Sequence, residues 1–150
     1  MTIQIENRQK RVKIEKRKIR QDVTKLMKLL NCADMEVSIS LVSDEEIQRI
    51  NQQYLFKDRP TNVISFSLQE GEYGGVNPRV LGDIVISVDT ALRDAEKGSL
   101  TFENEITFLI IHGLLHLMGY NHENTSRANA RKMKMKENEL FELMTQNHRF

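Results

Sequence analysis

Three of the chain's four histidines lie within eleven residues, in the run His112-Gly113-Leu114-Leu115-His116-Leu117-Met118-Gly119-Tyr120-Asn121-His122. His112 and His116 are four residues apart where the pattern predicts a helix, so their imidazoles stand one turn apart on one face. Gly119 falls where that helix should stop, because glycine takes the left-handed cap conformation at low cost. The turn there can swing His122 back toward the same point. Three imidazole nitrogens at ~2.0–2.1 Å from one zinc ion leave a fourth position for water, the arrangement of a catalytic rather than a structural zinc site. A zinc-bound water has a pKa of roughly 7, so hydroxide is available at neutral pH. The expectation is one Zn2+ per chain, held by His112, His116 and His122, although nickel and copper also suit three imidazoles.

A lone histidine on a buried helix is more often a hydrogen-bonded core residue than a ligand. Two uncharged imidazoles stacked in an apolar helix are costly without partners, and a third beyond a glycine turn moves the balance to a metal. His148, near the C-terminus, has no partner at suitable spacing and reads as a surface residue. The three histidines and the glycine match the spacing of the metzincin pattern H-E-x-x-H-x-x-G-x-x-H. The glutamate that serves as general base in that pattern is Gly113 here. Glycine takes no proton, which argues against peptide hydrolysis by the usual route.

Positioning these residues falls to a run of elements that the hydrophobic periodicity outlines. Ile3 and Ile5 suggest a short strand. A helix is expected from about Ile14 to Leu30, with Ile19, Val23, Leu26, Met27 and Leu30 at helical spacing. Met35 to Val42 reads as a strand. Ser43-Asp44-Glu45-Glu46 is a capping box that opens a helix to about Tyr54. Val63–Leu68 and Val80–Ser87 read as strands around a loop at 70–79 that holds three of the seven glycines and Pro78. Helices follow from about Asp89 to Lys97, from a cap at Ser99 or Thr101 to Met118, and from about Ser126 to Thr145. The order implies an α+β fold, a small mixed sheet of about four strands packed with about five helices, as one domain over residues 1–150. The histidine helix is apolar on nearly all sides after its first turn and should be central.

At 150 residues, with 39% hydrophobic and 29% charged residues and a net charge of +1, the chain can bury a core and carries no global bias toward nucleic acid. Cys32 is the only cysteine, which excludes an internal disulfide and a thiolate zinc cage. The N-terminus has no apolar signal region and the longest apolar run is broken by His112, so a cytoplasmic protein without a membrane span is expected. Residues 8–20 carry eight Lys or Arg against one acid, Glu15. That cluster reads either as a footprint for a phosphate backbone or as the solvated face of an amphipathic helix. Arg127, Arg131 and Lys134 form a second basic stripe at helical spacing. Aromatics make up only 6% of the chain, which argues against an extended base-stacking platform.

The run at 112–122 resembles the H-G-x-L-H-L-x-G-Y-D-H motif of the YbeY family, the bacterial endoribonucleases of ribosomal RNA maturation. Lys57-Asp58-Arg59-Pro60-Thr61-Asn62-Val63-Ile64-Ser65-Phe66 is similar to that family's K-D-x-P-T-[DN]-V-[LI]-S-F. Leu81-Gly82-Asp83-Ile84-Val85-Ile86-Ser87 is similar to its L-G-D-[IL]-x-I-S strand. The resemblance implies a zincin-like α+β domain, zinc on the three histidines and cleavage of single-stranded RNA. It also implies a role in maturing the 3′ end of small-subunit ribosomal RNA and in ribosome quality control. Ribosomal RNA and the small subunit or its proteins are then the expected partners. Two positions depart from the family pattern: Leu55 follows Tyr54 where the family has arginine, and Asn121 replaces the motif's aspartate.

Around the metal, His112 and Arg59 are the expected catalytic residues. Arg59 precedes Pro60 in a loop and reads either as a bidentate phosphate clamp or as an exposed loop arginine. Asp83 reads as a partner that orients a ligating histidine or as a bond to loop backbone. Tyr120 either stacks a base or packs over the turn. The general base is unassigned, with Glu123 and Asp83 as candidates, and the RNA's own 2′-hydroxyl could serve as nucleophile. Two rivals stand beside the nuclease: a zincin-type metallopeptidase, and a ribosome-assembly factor whose zinc is mainly structural.

Overall fold

The computed structural model describes residues 3–68, 79–120 and 126–146. Its elements are β1 (Ile3–Asn7), α1 (Lys16–Leu29), β2 (Glu36–Val42), α2 (Asp44–Leu55), β3 (Val63–Ser67), β4 (Val80–Ser87), α3 (Val88–Lys97), α4 (Phe102–Leu117) and α5 (Arg127–Gln146). This is the expected α+β order, and each element falls within about two residues of its expected bounds. The four-stranded sheet has the order β1-β2-β4-β3. β1, β2 and β4 are parallel and β3 is an antiparallel edge strand, so the sheet is mixed.

Alternation along the strands divides the core in two. Ile39, Leu41, Ile84 and Ile86 face one side and pack with Val23 and Leu26 of α1, with Ile110, Ile111 and Leu114 of α4, and with Met133 and Leu140 of α5. On the opposite side Val42, Ile64 and Val85 meet Ile47 of α2. Among the described residues no helix is long and apolar enough to cross a membrane. α4 is central as its composition required: ten of its residues, from Glu105 to Leu117, are buried.

Side chains set where these helices begin. Ser43 Oγ accepts from the Glu46 amide at 3.2 Å, Ser87 Oγ from Thr90 at 3.3 Å, and Thr101 Oγ1 from Asn104 at 3.1 Å. Each satisfies one of the amides a helix start leaves without a partner. The capping box at Ser43 is only half formed, because the Glu46 carboxylate faces Arg8 at 3.5 Å instead of its own cap.

Two glycines let α4 lie close to the sheet. A Cβ on Gly82 of β4 would sit 2.1 Å from the Phe66 carbonyl oxygen and 2.9 Å from Leu117, and its φ is +147°. A Cβ on Gly113 would meet three side-chain atoms of Ile84 at 2.9–3.1 Å. Gly113 therefore stands at the contact between α4 and β4.

Candidate metal centre

α4 carries His112 and His116 on one half-exposed face. Their Nε2 atoms are 3.0 Å apart, and the rings meet edge to face with centroids 4.5 Å apart. Two tetrahedral zinc ligands hold their nitrogens about 3.3 Å apart, so the pair needs to open by only a few tenths of an ångström to share an ion. The helical spacing that suggested convergence does produce it. His122 lies outside the described residues, as do Asn121, Glu123 and His148. Among the described residues no group of three or more candidate ligands gathers. The convergence shown is that of two imidazoles.

The backbone leaves α4 in a form that only a few sequences allow. Met118 closes the helix, the Gly119 amide donates to the His116 carbonyl at 3.0 Å, and the Tyr120 amide donates to the Leu115 carbonyl at 3.0 Å. These are the two crossed bonds of a Schellman stop. Gly119 has φ 95°, which glycine adopts without strain. Tyr120 is half-buried and packs on the main core, which favours packing over base stacking for that ring.

Glu137 was not among the residues expected at the site. It sits on α5, is 8% exposed, and brings both carboxylate oxygens to Nδ1 of His112, at 3.3 and 3.2 Å. When the Nδ1 proton is donated to this carboxylate, Nε2 keeps its lone pair and faces the Nε2 of His116. A signal for it was present. Met133, Glu137, Leu140 and Met144 fall at helical spacing and all four are buried, so an acid stands inside the apolar stripe of α5. A buried acid of that kind needs a partner.

Other candidates lie elsewhere. Asp83 is exposed. Its neighbour Ile84 points at Gly113 of α4, so alternation turns Asp83 to the opposite side of the sheet, away from the histidines. Arg59 is exposed in the loop between α2 and β3, where its carbonyl accepts from Asn51 Nδ2 at 2.9 Å. β3 itself borders the histidine helix, since Ser65 and Ser67 donate from Oγ to the carbonyls of Gly113 and Leu117, both at 3.5 Å. The proton acceptor of the peptidase pattern is absent, and a side chain at position 113 would make Ile84 shift by a few tenths of an ångström.

Comparison with known proteins adds an independent line. The family profile described as Endoribonuclease YbeY matches residues 4–145. A protein named Endoribonuclease YbeY from Syntrophus aciditrophicus is 59% identical over 144 residues, spanning 96% of this chain and 90% of its own. One of the same name from Syntrophotalea carbinolica is 50% identical over 139 residues, spanning 93% of each. The solution structure of TM1509 from Thermotoga maritima superposes with a TM-score of 0.68 at 31% identity, over 98% of this chain and 91% of that one.

Proposed function

Because the chain belongs to the YbeY family of endoribonucleases, we propose that it is a zinc-dependent endoribonuclease of the cytoplasm, cutting single-stranded ribosomal RNA. The 3′ end of small-subunit RNA and the quality control of ribosomes are its proposed field of action, with the small subunit or its proteins as partners. The observation that carries the metal part of this reading is the 3.0 Å approach of the His112 and His116 Nε2 atoms, with Glu137 on the far nitrogen of His112.

His112, His116 and His122 are the proposed zinc ligands. A zinc ion bound there would supply Lewis acidity at the scissile phosphate. The protein's own residues do the rest. Glu137 fixes the orientation of the His112 ring. Arg59, exposed beside the edge strand, meets the phosphates of the incoming strand with its planar fork. Ribose carries its own nucleophile: the 2′-oxygen would bond to phosphorus as the bond to the 5′-oxygen breaks and that oxygen leaves protonated, with the 2′ proton passing to a base other than Gly113. A peptide substrate has no such internal nucleophile, and the chain has a glycine packed on Ile84 where the peptidase pattern has its glutamate.

The test joins composition to activity. Protein purified without an affinity tag should contain about one zinc per chain and cleave single-stranded RNA, and a chelator should stop cleavage. His116→Ala should keep the fold by circular dichroism and lose at least a hundredfold in cleavage rate. Cleavage of peptides with RNA untouched would favour the metallopeptidase. Unfolding of His116→Ala, with ribosome binding retained by an inactive wild type, would favour the assembly factor.

A further inference from the structure

Phe56 is the most exposed large apolar residue described, at 90%, and it stands in a conformation that phenylalanine rarely adopts. It closes α2 with φ 58° and ψ 30°, in the left-handed region, a place helices usually fill with glycine. A side chain there is strained against its own backbone. Burial does not explain its presence, since the ring meets solvent. The ring therefore carries the strain of its backbone without the gain that burial would bring.

Its surroundings are built rather than loose. The Phe56 amide donates to the Gln52 carbonyl and the Lys57 amide to the Asn51 carbonyl, both at 3.2 Å. Asn51, itself buried, holds the Arg59 carbonyl at 2.9 Å, and Asp58 accepts from Gln48 at 2.9 Å. The backbone of this turn is thus tied to α2 while the ring projects. Lys57 and Arg59 follow it, both exposed, and among the described residues no carboxylate pairs with either. Tyr54, two residues back, is 58% exposed, and its ring sets an edge against Phe66 of β3 at 5.5 Å between centroids. The same turn leads within four residues into β3, the strand that borders the histidine helix.

From this we infer that Phe56 is a stacking platform for one base of a single-stranded RNA, with Lys57 and Arg59, which follow it in the chain, holding neighbouring phosphates. An aromatic face with unpaired cations beside it is the combination that single-stranded nucleic acid recognises, because every base offers a π-face and every nucleotide a charge. The inference rests on the proposed reading of RNA as substrate and adds where the strand is gripped outside the metal centre.

The chain has no tryptophan, so Phe56→Trp installs a single reporter at the platform. Titrating it with a short single-stranded oligoribonucleotide should quench its emission, while an RNA duplex of the same length should not. Phe56→Gly should raise Tm by about 2–4 °C, as relief of a left-handed side chain predicts for a domain of this size. It should also weaken binding of the same oligonucleotide by about five- to a hundredfold, the range for one lost stack, without changing the salt dependence. Phe56→Tyr should bind as wild type does. Opposite movement of stability and affinity is what a structural role would not produce.

Wild-type affinity in Phe56→Gly, or unquenched emission at saturating RNA, would overturn the inference alone. A wild type that binds no single-stranded RNA would overturn the proposed function with it. A change in solution mass on Phe56→Gly, with RNA affinity intact, would show that a second copy of the chain covers the ring instead.

Discussion

A carboxylate at Nδ1 of a ligating imidazole does two things: it fixes the tautomer that leaves Nε2 free, and it makes that nitrogen more basic. Glu137 is placed to do both for His112. On the proposed metal site, Glu137→Met keeps the volume and removes the acceptor, and it should weaken zinc binding about ten- to a hundredfold in competition with a chromophoric chelator. Glu137→Gln keeps one acceptor oxygen without the charge and should fall between. Equal zinc affinity in all three proteins would remove Glu137 from the site. The histidines were legible in sequence because their relation is local, one helical turn. Their carboxylate partner was not, because it is 25 residues away on a helix whose facing side depends on how α5 docks.

Between elements, the joint of α2 and α3 is an ionic one. Asp44, first residue of α2, accepts on Oδ1 from Ser87 Oγ and Thr90 Oγ1, both at 2.6 Å, and on Oδ2 from Arg93 at 2.7 Å. Burial raises the Asp44 pKa, but the bonds from Ser87, Thr90 and Arg93 and the Arg93 charge outweigh it. The carboxyl titrates below its ordinary value. A carboxyl depressed on folding stabilises the protein above its unfolded pKa, near 4, and that stability is lost as pH falls through the folded value. Thermal melts should show wild type losing Tm from about pH 4 downward. Asp44→Asn should be less stable at pH 7 and should show a flatter acid limb. Identical pH profiles would refute the joint. Ser43 as a cap could be read from four adjacent letters. Asp44 could not, since the residues it holds lie more than forty positions away, and Asp83 stayed open between two readings because a strand's letters do not say which face of the sheet a site will use.

Over the whole molecule, charge is unevenly spread despite a net value of +1. Arg17, Lys25 and Lys28 of α1 are exposed, and among the described residues no carboxylate pairs with them. Lys18 is spoken for by Asp22 at 3.5 Å, and Arg20 donates to the Ile3 carbonyl. If RNA runs over this face, changing Arg17, Lys25 and Lys28 to glutamate should weaken binding of long RNA. It should also flatten the dependence of log affinity on log salt by about 2, at roughly 0.7 per contact with a single strand. An unchanged slope would leave α1 as a solvated face only. The architecture was legible as a whole because alternation and helical periodicity survive packing. The crossing of β4 between β2 and β3 was not, since strand order is decided by long-range contacts. One close approach inside that architecture also bears on ancestry. With Ile84 packed on Gly113, a glutamate at position 113 of this chain would come with a shift of Ile84 in the core. That repacking has a cost in the core with no immediate gain, so the two chemistries are neighbours in geometry separated by a packing penalty.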